Sequence, residues 1–463
     1  MSQYIPNIDH TIKLEKVNAF ISSLISSKAG LDAIVDGKTA LISAVRSNSI
    51  ECVKAFIAAG ANLNIQDTCG NRDTALLWAV IKGYDECARV LSSAGANPDI
   101  YNANKRTALI IAAIRGDFEC LTALIAAGAN LNLCDGDKNT ALVLASKHNN
   151  TIKCITALID AGADLDVRGC RGQTALMRAA FKCNVNGVRA LIAAGANLDI
   201  QDDAGNTALF NAIKSPDYNM EVARILIDAG ANLDIQNNIE ETALICAIVE
   251  LDNMVDEINA LITGGADLDL QDDDGNTALM RATSLGYLGY VKVLIAAGAN
   301  LNLQDEHGNT ALVMAVKTDN LKCAIALIEA SANVNVQNSR GYTALMLSIR
   351  CKNELEYVNA LINAKANLEL VNTDGKTVLA IMIEHDNARC INALINAGAD
   401  YTNYSHPVID RLYFKLEINK LTDRICKLEE HIRDIELRPG FGEHYFIHKA
   451  KFERVAADLD TLV

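Results

Sequence analysis

The sequence predicts an all-α solenoid of stacked helix pairs, and three observations carry that prediction. A Thr followed by Ala (once Val) and Leu begins at Thr39, Thr74, Thr107, Thr140, Thr174, Thr207, Thr242, Thr277, Thr310, Thr343 and Thr377, eleven copies spaced 33 to 35 residues apart. A fixed period in this range marks a stacked repeat, in which each unit buries its apolar face only against its neighbours. Within each copy the apolar residues fall in two short runs at helical spacing, separated by a turn. Half of the residues are apolar but only 5% are aromatic. A core of Ala, Leu and Ile suits thin, closely packed helix pairs.

Residues 1–35 come first. Leu14, Val17, Phe20, Ile21, Leu24 and Ile25 trace one amphipathic helix that ends near Gly30. It reads as the second half of a degenerate repeat, placed to cap the exposed end of the stack. The repeats occupy residues 36–400. In each, Thr is positioned to cap the first helix by accepting from an amide of the opening turn. The second helix follows, as in Cys52 to Ile57, and closes on a glycine such as Gly60, the residue favoured where a helix ends in the left-handed conformation. Leu63 to Asp67 then run extended into a hairpin-like finger. Two copies replace the closing glycine, by Ser331 and Lys365, which predicts a soft zone over 325–370. Insertions near Ser215 to Tyr218 and Leu251 to Met254 lengthen the turn remote from the fingers.

Beyond residue 400 the period stops. Phe414, Ile418, Leu421, Ile425, Leu428, Ile432 and Ile435 follow a heptad seam, and Pro439 to Gly442 turn the chain toward a second helix. Residues 401–463 therefore read as a helical hairpin. Two roles fit it: a C-terminal cap, or a coiled coil that mediates self-association through 408–436.

The period and the T-A-L phrase resemble the ankyrin repeat, a helix-turn-helix unit of about 33 residues carrying T-P-L-H-x-A. The resemblance implies an ankyrin solenoid that binds proteins through its fingers and the inner side of its first helices. Two departures stand out. Ala usually replaces the Pro, and the His gives way to Ile42, Leu77, Ile110, Val143, Met177, Phe210, Ile245, Met280, Val313, Met346 and Ala380, which predicts a drier core. Plain arrays of this kind are similar to those of intracellular bacteria and giant viruses that act on host proteins. That likeness implies a host-directed effector working in the cytosol.

Composition narrows the function classes. A net charge of −15 disfavours nucleic acid, whose phosphates require a basic surface, and favours a partner with basic segments. No run reaches the ~18 apolar residues of a membrane span, and the N-terminus lacks the apolar core of a secretory signal. The thirteen cysteines point to a reducing, cytoplasmic compartment. Cys52, Cys87, Cys120, Cys154, Cys323 and Cys390 share one repeat position with Val188, Val222, Ile258, Val291 and Val358, so they read as packing residues.

Candidate chemistry is sparse. Glu443, His444 and His448 form E-H-x-x-x-H, not the zinc-binding H-E-x-x-H. Asp272 to Asn276 place Gly fourth, where a calcium loop needs it sixth. The sequence thus predicts no catalytic residues, no metal and no cofactor.

What remains is surface. The early finger tips carry Lys38, Arg72, Lys105, Arg106, Lys138, Arg168 and Arg171, and later ones carry Asp202, Asp203, Glu240, Glu241, Asp272, Asp273, Asp274, Asp305 and Glu306. Such a change of sign would orient a partner along the array. Trp78, Arg178, Asn211, Arg281 and Met314, with Phe181 beside them, are the candidate anchors on the first helices. Core packing explains Trp78 and Phe181 equally well. A cation series near the first-helix ends, Arg46, Lys82, Arg115, Lys147, Lys182, Lys214, Lys317 and Arg350, reads first as a complement to the helix dipole. The expected function is a non-enzymatic interaction scaffold. The alternative places the activity in the C-terminal tail, with the repeats as a targeting arm.

Overall fold

The computed structural model describes residues 30–217, 220–251 and 254–404, with positions 19, 21–23, 409, 424 and 427 beside them. The chain divides into two compact units, Met1–Asp273 and Asp274–Val463. The first holds seven helix pairs: α1 (Ala40–Arg46) with α2 (Ile50–Ala58), α3 (Ala75–Lys82) with α4 (Asp85–Ser93), α5 (Ala108–Arg115) with α6 (Phe118–Ala126), α7 (Ala141–Ala145) with α8 (Ile152–Asp160), α9 (Ala175–Phe181) with α10 (Val185–Ala193), α11 (Ala208–Ile213) with α12 (Met220–Asp228), and α13 (Ala243–Glu250) with α14 (Val255–Thr263). The second holds four: α15 (Ala278–Leu285) with α16 (Leu288–Ala296), α17 (Ala311–Lys317) with α18 (Leu321–Glu329), α19 (Ala344–Leu347) with α20 (Glu354–Asn363), and α21 (Val378–Glu384) with α22 (Ala388–Asn396). The all-α class is as the sequence predicts. Most of the N-terminal helix, the heptad seam from Phe414 to Ile435, Cys426, and Glu443, His444 and His448 lie outside the described residues.

Local chemistry sets the ends of each pair. Ten of the eleven phrase threonines accept a hydrogen bond at Oγ1 from the amide three residues on, as Thr74 does from Leu77 at 3.2 Å. Thr207 is the exception, and its side chain makes no cap bond. Each second helix closes in the same way. Gly60 N–H donates to Ile57 and Ala61 N–H to Phe56, with Gly60 at φ 84°, so the last carbonyls are satisfied by a left-handed turn.

Side chains inside the pairs are packed almost dry. Leu41, Leu76, Leu109, Leu142, Leu176, Leu209 and Leu244 are buried in the first unit, and Leu279, Leu312, Leu345 and Leu379 in the second. The residues that stand where the consensus has His are buried too, except Ala380, which is half-buried. The six helix-B cysteines expected to pack are likewise buried, but of the residues expected to share their position only Val222 does; Gly187, Glu257, Tyr290 and Tyr357 stand there in the other copies, and Val188, Ile258, Val291 and Val358 fall one residue later.

The fingers are held without strands. Among the described residues only Val35 and Lys38 form a β-bridge. A side-chain acceptor organises each turn instead. Asn102 Oδ1 accepts from the amides of Asn104 and Arg106, and Asp135, Asp202, Asn237, Asp305, Asn338 and Asn372 repeat the pattern at 2.7–3.1 Å. A residue at positive φ completes the turn. Gly308 has φ 74°, and a Cβ there would lie 2.7 Å from the Ser339 nitrogen of the next finger. Where no such crowding exists, Lys105, Lys138 and Glu240 hold the same conformation at φ 53°, 66° and 55°.

A second set of acceptors joins one repeat to the next. In the first unit Asn64, Asp99, Asn132, Asp166, Asp199 and Asp234 accept from the backbone amides of Asn97, Asn130, Asp164, Asn197, Asn232 and Asp267 at 2.8–3.0 Å. In the second, Asn302, Asn335 and Glu369 accept from Asn333, Asn367 and Asp400 at 2.7–3.0 Å. Gln66, Gln201, Gln236, Gln304 and Gln337 add a parallel rung, each donating once to its own finger and once to the next.

Ser331 and Lys365 adopt φ 66° and 62°, the conformation that glycine takes in the other copies. Their backbone bonds are unchanged, with Ser331 N–H on Ile328 and Lys365 N–H on Ile362. The penalty is therefore torsional, about 1–2 kcal/mol per residue. At the equivalent Gly298 and Gly398 a Cβ would meet open space. Ser331→Gly combined with Lys365→Gly should raise the urea midpoint of the full chain; an unchanged or lower midpoint removes the soft zone over 325–370.

Candidate functional site

Within each unit the fingers and the fifth residue of each T-A-L phrase meet along one face. At that register stand Ser43, Trp78, Ile111, Leu144, Arg178, Asn211 and Cys246 in the first unit, and Arg281, Met314, Leu347 and Ile381 in the second. Their neighbours in the phrase are buried and nearly constant. Here the residue type changes from copy to copy, and Trp78, Arg178, Arg281 and Met314 remain part-exposed.

Trp78 is the most elaborately held. Its indole N–H donates to Asp67 Oδ2 at 2.8 Å. The Arg46 guanidinium lies 4.8 Å from the ring centroid, and Lys82 Nζ lies 5.7 Å from it. Three helix and finger elements thus fix one aromatic ring, and its part-exposed state separates it from a plain core residue. Arg46 and Lys82 belong to the cation series read as dipole complements. For Arg115 that reading has a direct basis, because its Nη1 donates to the Ile81 carbonyl near the end of α3 at 3.0 Å. Phe181 is also part-exposed, with Lys182 Nζ 5.4 Å from its centroid. Arg178 Nε is buried and has no hydrogen-bond partner.

Asn211 departs from its expected role as an exposed anchor. It is 5% exposed, accepts from Gln173 Nε2 at 3.1 Å and donates to the Thr207 carbonyl at 3.0 Å. Its side chain locks a finger to a helix.

The acidic tips also need narrowing. Asp202, Asp272 and Asp305 are only 9%, 3% and 9% exposed. They occupy the turn-organising position that Asn102, Asn237, Asn338 and Asn372 fill in other copies, so what they supply there is an oxygen acceptor and not a charge. Asp203, Glu240, Asp273, Asp274 and Glu306 are the exposed carboxylates of the series. Asp203 is paired with Arg168 of the preceding finger at 3.0 Å, and Asp274 with Arg281 at 3.0 Å. One basic tip and one acidic tip thus neutralise each other, and Asp274 is neutralised from the first helix of its own repeat.

Sequence reasoning missed a groove in the second unit of about 600 Å³, lined by His307, Lys317, Arg340, Tyr342, Leu347, Arg350 and Asp374 among others. Lys317 and Arg350 stood in the cation series one repeat apart, and that spacing was the available signal.

Several buried thiols are held protonated. Burial pushes Cys87, Cys154 and Cys390 up to about 11, and Cys246 and Cys351 up to about 12. A thiol held protonated is neither nucleophile nor ready metal ligand. Asp85, Asp117 and Cys120 do converge, but Asp117 caps the Cys120 amide at 3.1 Å and the Cys120 thiol donates to Asp85 Oδ1 at 3.4 Å. Protein hydrogen bonds account for that cluster.

Paired helices repeated about a constant phrase, with one variable face, define a repeat array. A scan against protein-family models matches "Ankyrin repeats (3 copies)" over residues 12–102, 109–202, 176–258, 249–338 and 326–405. The chain belongs to the ankyrin repeat family. Ankyrin repeats are generally protein–protein interaction modules. A search of the curated proteins gave no match. Among the described residues no helix is long and apolar enough to cross a membrane.

Two outcomes test the local assignments. Asp202→Asn should leave stability near wild type, while Asp202→Ala strands the Ala204 and Asn206 amides and should cost about 1–3 kcal/mol. Equal losses in both would restore a role for the charge. For the thiols, the folded pKa lies above the ordinary 9.0, so the stability contribution is complete below pH 9 and is lost as pH rises toward 11. The combined Cys87→Val, Cys154→Val and Cys390→Val chain should show a shallower fall of the urea midpoint between pH 9 and 11 than wild type. Identical slopes would contradict the assignment.

Proposed function

We propose that this chain is a non-enzymatic scaffold that binds a protein partner along its finger face. The half-exposed ring of Trp78, pinned by Asp67, Arg46 and Lys82, carries this reading. Aromatic and Arg side chains held rigid before contact are the usual source of binding energy, because little side-chain entropy remains to be lost. Arg178, with its unpartnered Nε, and the part-exposed Phe181 supply a second anchor pair. Arg281 and Met314 occupy the same register in the second unit. Asp203, Asp273, Asp274 and Glu306 form a polar rim that favours basic side chains on the partner. Asn211, Asp202, Asp272 and Asp305 shape the face from within.

Affinity capture with the full chain tests this reading. Partners retained by wild type should be lost or strongly reduced with Trp78→Ala, by about 2 kcal/mol or more for a central anchor, while circular dichroism and the urea midpoint show the array still folded. A capture profile indifferent to both Trp78→Ala and Arg178→Ala removes the finger face from the function.

A further inference from the structure

The groove in the second unit differs in charge from the rest of that unit's finger face. Lys317 ends α17, Arg350 stands at the same register one repeat later, and Arg340 lies on the finger between them. All three are exposed and line one groove of about 600 Å³ together with His307. Elsewhere in the second unit the finger-face cations are matched: Arg281 pairs with Asp274 and Lys376 with Glu384, at 3.0 and 2.7 Å. Lys317, Arg340 and Arg350 have no ion-pair partner among the described residues. In a chain of net charge −15, three unneutralised cations around one concavity are a local reversal of sign.

We propose that this groove holds a short acidic peptide segment of the partner, with carboxylates three residues apart. The proposal rests on the scaffold reading above and names the partner's chemistry at one place on the face. First helices of neighbouring repeats pack about 8–10 Å apart, which sets the separation of Lys317 and Arg350. A polyproline II peptide advances about 9 Å in three residues and returns to the same face, so carboxylates at i and i+3 meet the two cations together. Arg340 on the finger is placed for a third charge-assisted contact. The floor suits a peptide: Leu347 and the part-exposed ring of Tyr342 offer apolar surface to the side chains between the carboxylates. Asp374 in the lining and exposed Glu306 on the preceding finger limit how far a negative ligand can extend. That boundary disfavours a nucleic acid, which needs a continuous basic track.

The probe is a fluorescein-labelled peptide of repeating Glu-Pro-Leu triplets, titrated into the full chain at low salt and read by anisotropy. The Gln-Pro-Leu counterpart and a single-stranded oligothymidine serve as comparisons. Saturable binding of the Glu peptide is expected, at least about tenfold tighter than the Gln peptide and weakened by salt. Arg340→Glu with Arg350→Glu should abolish it, and Lys317→Ser alone should weaken it severalfold; these side chains are exposed, and circular dichroism verifies the fold. Equal binding of Glu and Gln peptides, no binding of either, or indifference to the substitutions overturns the proposal. Oligothymidine binding as tightly, and lost in the same variants, overturns it in favour of nucleic acid. Failure of the peptide with Trp78-dependent capture intact removes the groove assignment alone. Peptide binding with capture indifferent to Trp78 and Arg178 supports the groove and removes the wider reading.

Discussion

The array depends on one interaction made over and over: a short side-chain oxygen on one repeat accepting from a backbone amide on the next. Asn64, Asp99, Asn132, Asp166, Asp199 and Asp234 make it in the first unit, and Asn302, Asn335 and Glu369 in the second. The finger chain is too irregular to satisfy its own amides through a strand ladder, and an amide left without a partner is expensive. Supplying the acceptor from the neighbouring copy ties the finger's geometry to repeat stacking. The glutamine rung reinforces it, since each Gln bridges its own finger and the next. Apolar packing brings the helices together, and these bonds fix the spacing at which fingers present their tips.

Nearly all of the fold was legible. The Thr phrase marks every first helix, closing glycines mark most second helices, and the recurring cysteines mark a buried face of the second helices, because each reports a local steric or hydrogen-bond demand. The site was less so. Asp202, Asp272 and Asp305 look like surface charges in sequence, yet they sit where Asn serves as well. Only the recurrence of Asn102, Asn237, Asn338 and Asn372 in the same column distinguishes an acceptor from a charge. Asn211 looked like an anchor because the family resemblance puts its register on the inner side of the first helices; its bonds to Gln173 and Thr207 turn it inward. Pairings such as Arg168 with Asp203 join residues one repeat apart, so they emerge only when adjacent copies are compared side by side.

The face that results has two kinds of position. Some side chains build it and point inward, and their identity is limited to acceptors and small apolar groups. Others, Trp78, Arg178, Arg281 and Met314 among them, lie at a register where packing tolerates almost any residue. Recognition can vary there without disturbing the scaffold. The held ring of Trp78 and the unmatched cations of the second unit occupy different stretches of the array, so affinity and charge preference need not come from the same residues.

The inter-repeat ladder has a consequence for how such a chain changes over generations. Every repeat offers the same acceptor on one side and the same amide on the other. Excising one whole period of about 33 residues from within a unit would therefore bring matching ends together, and duplicating one would create a new matched joint. An array joined in this way can lengthen or shorten by whole repeats, and each new length would keep the same bonds between neighbours.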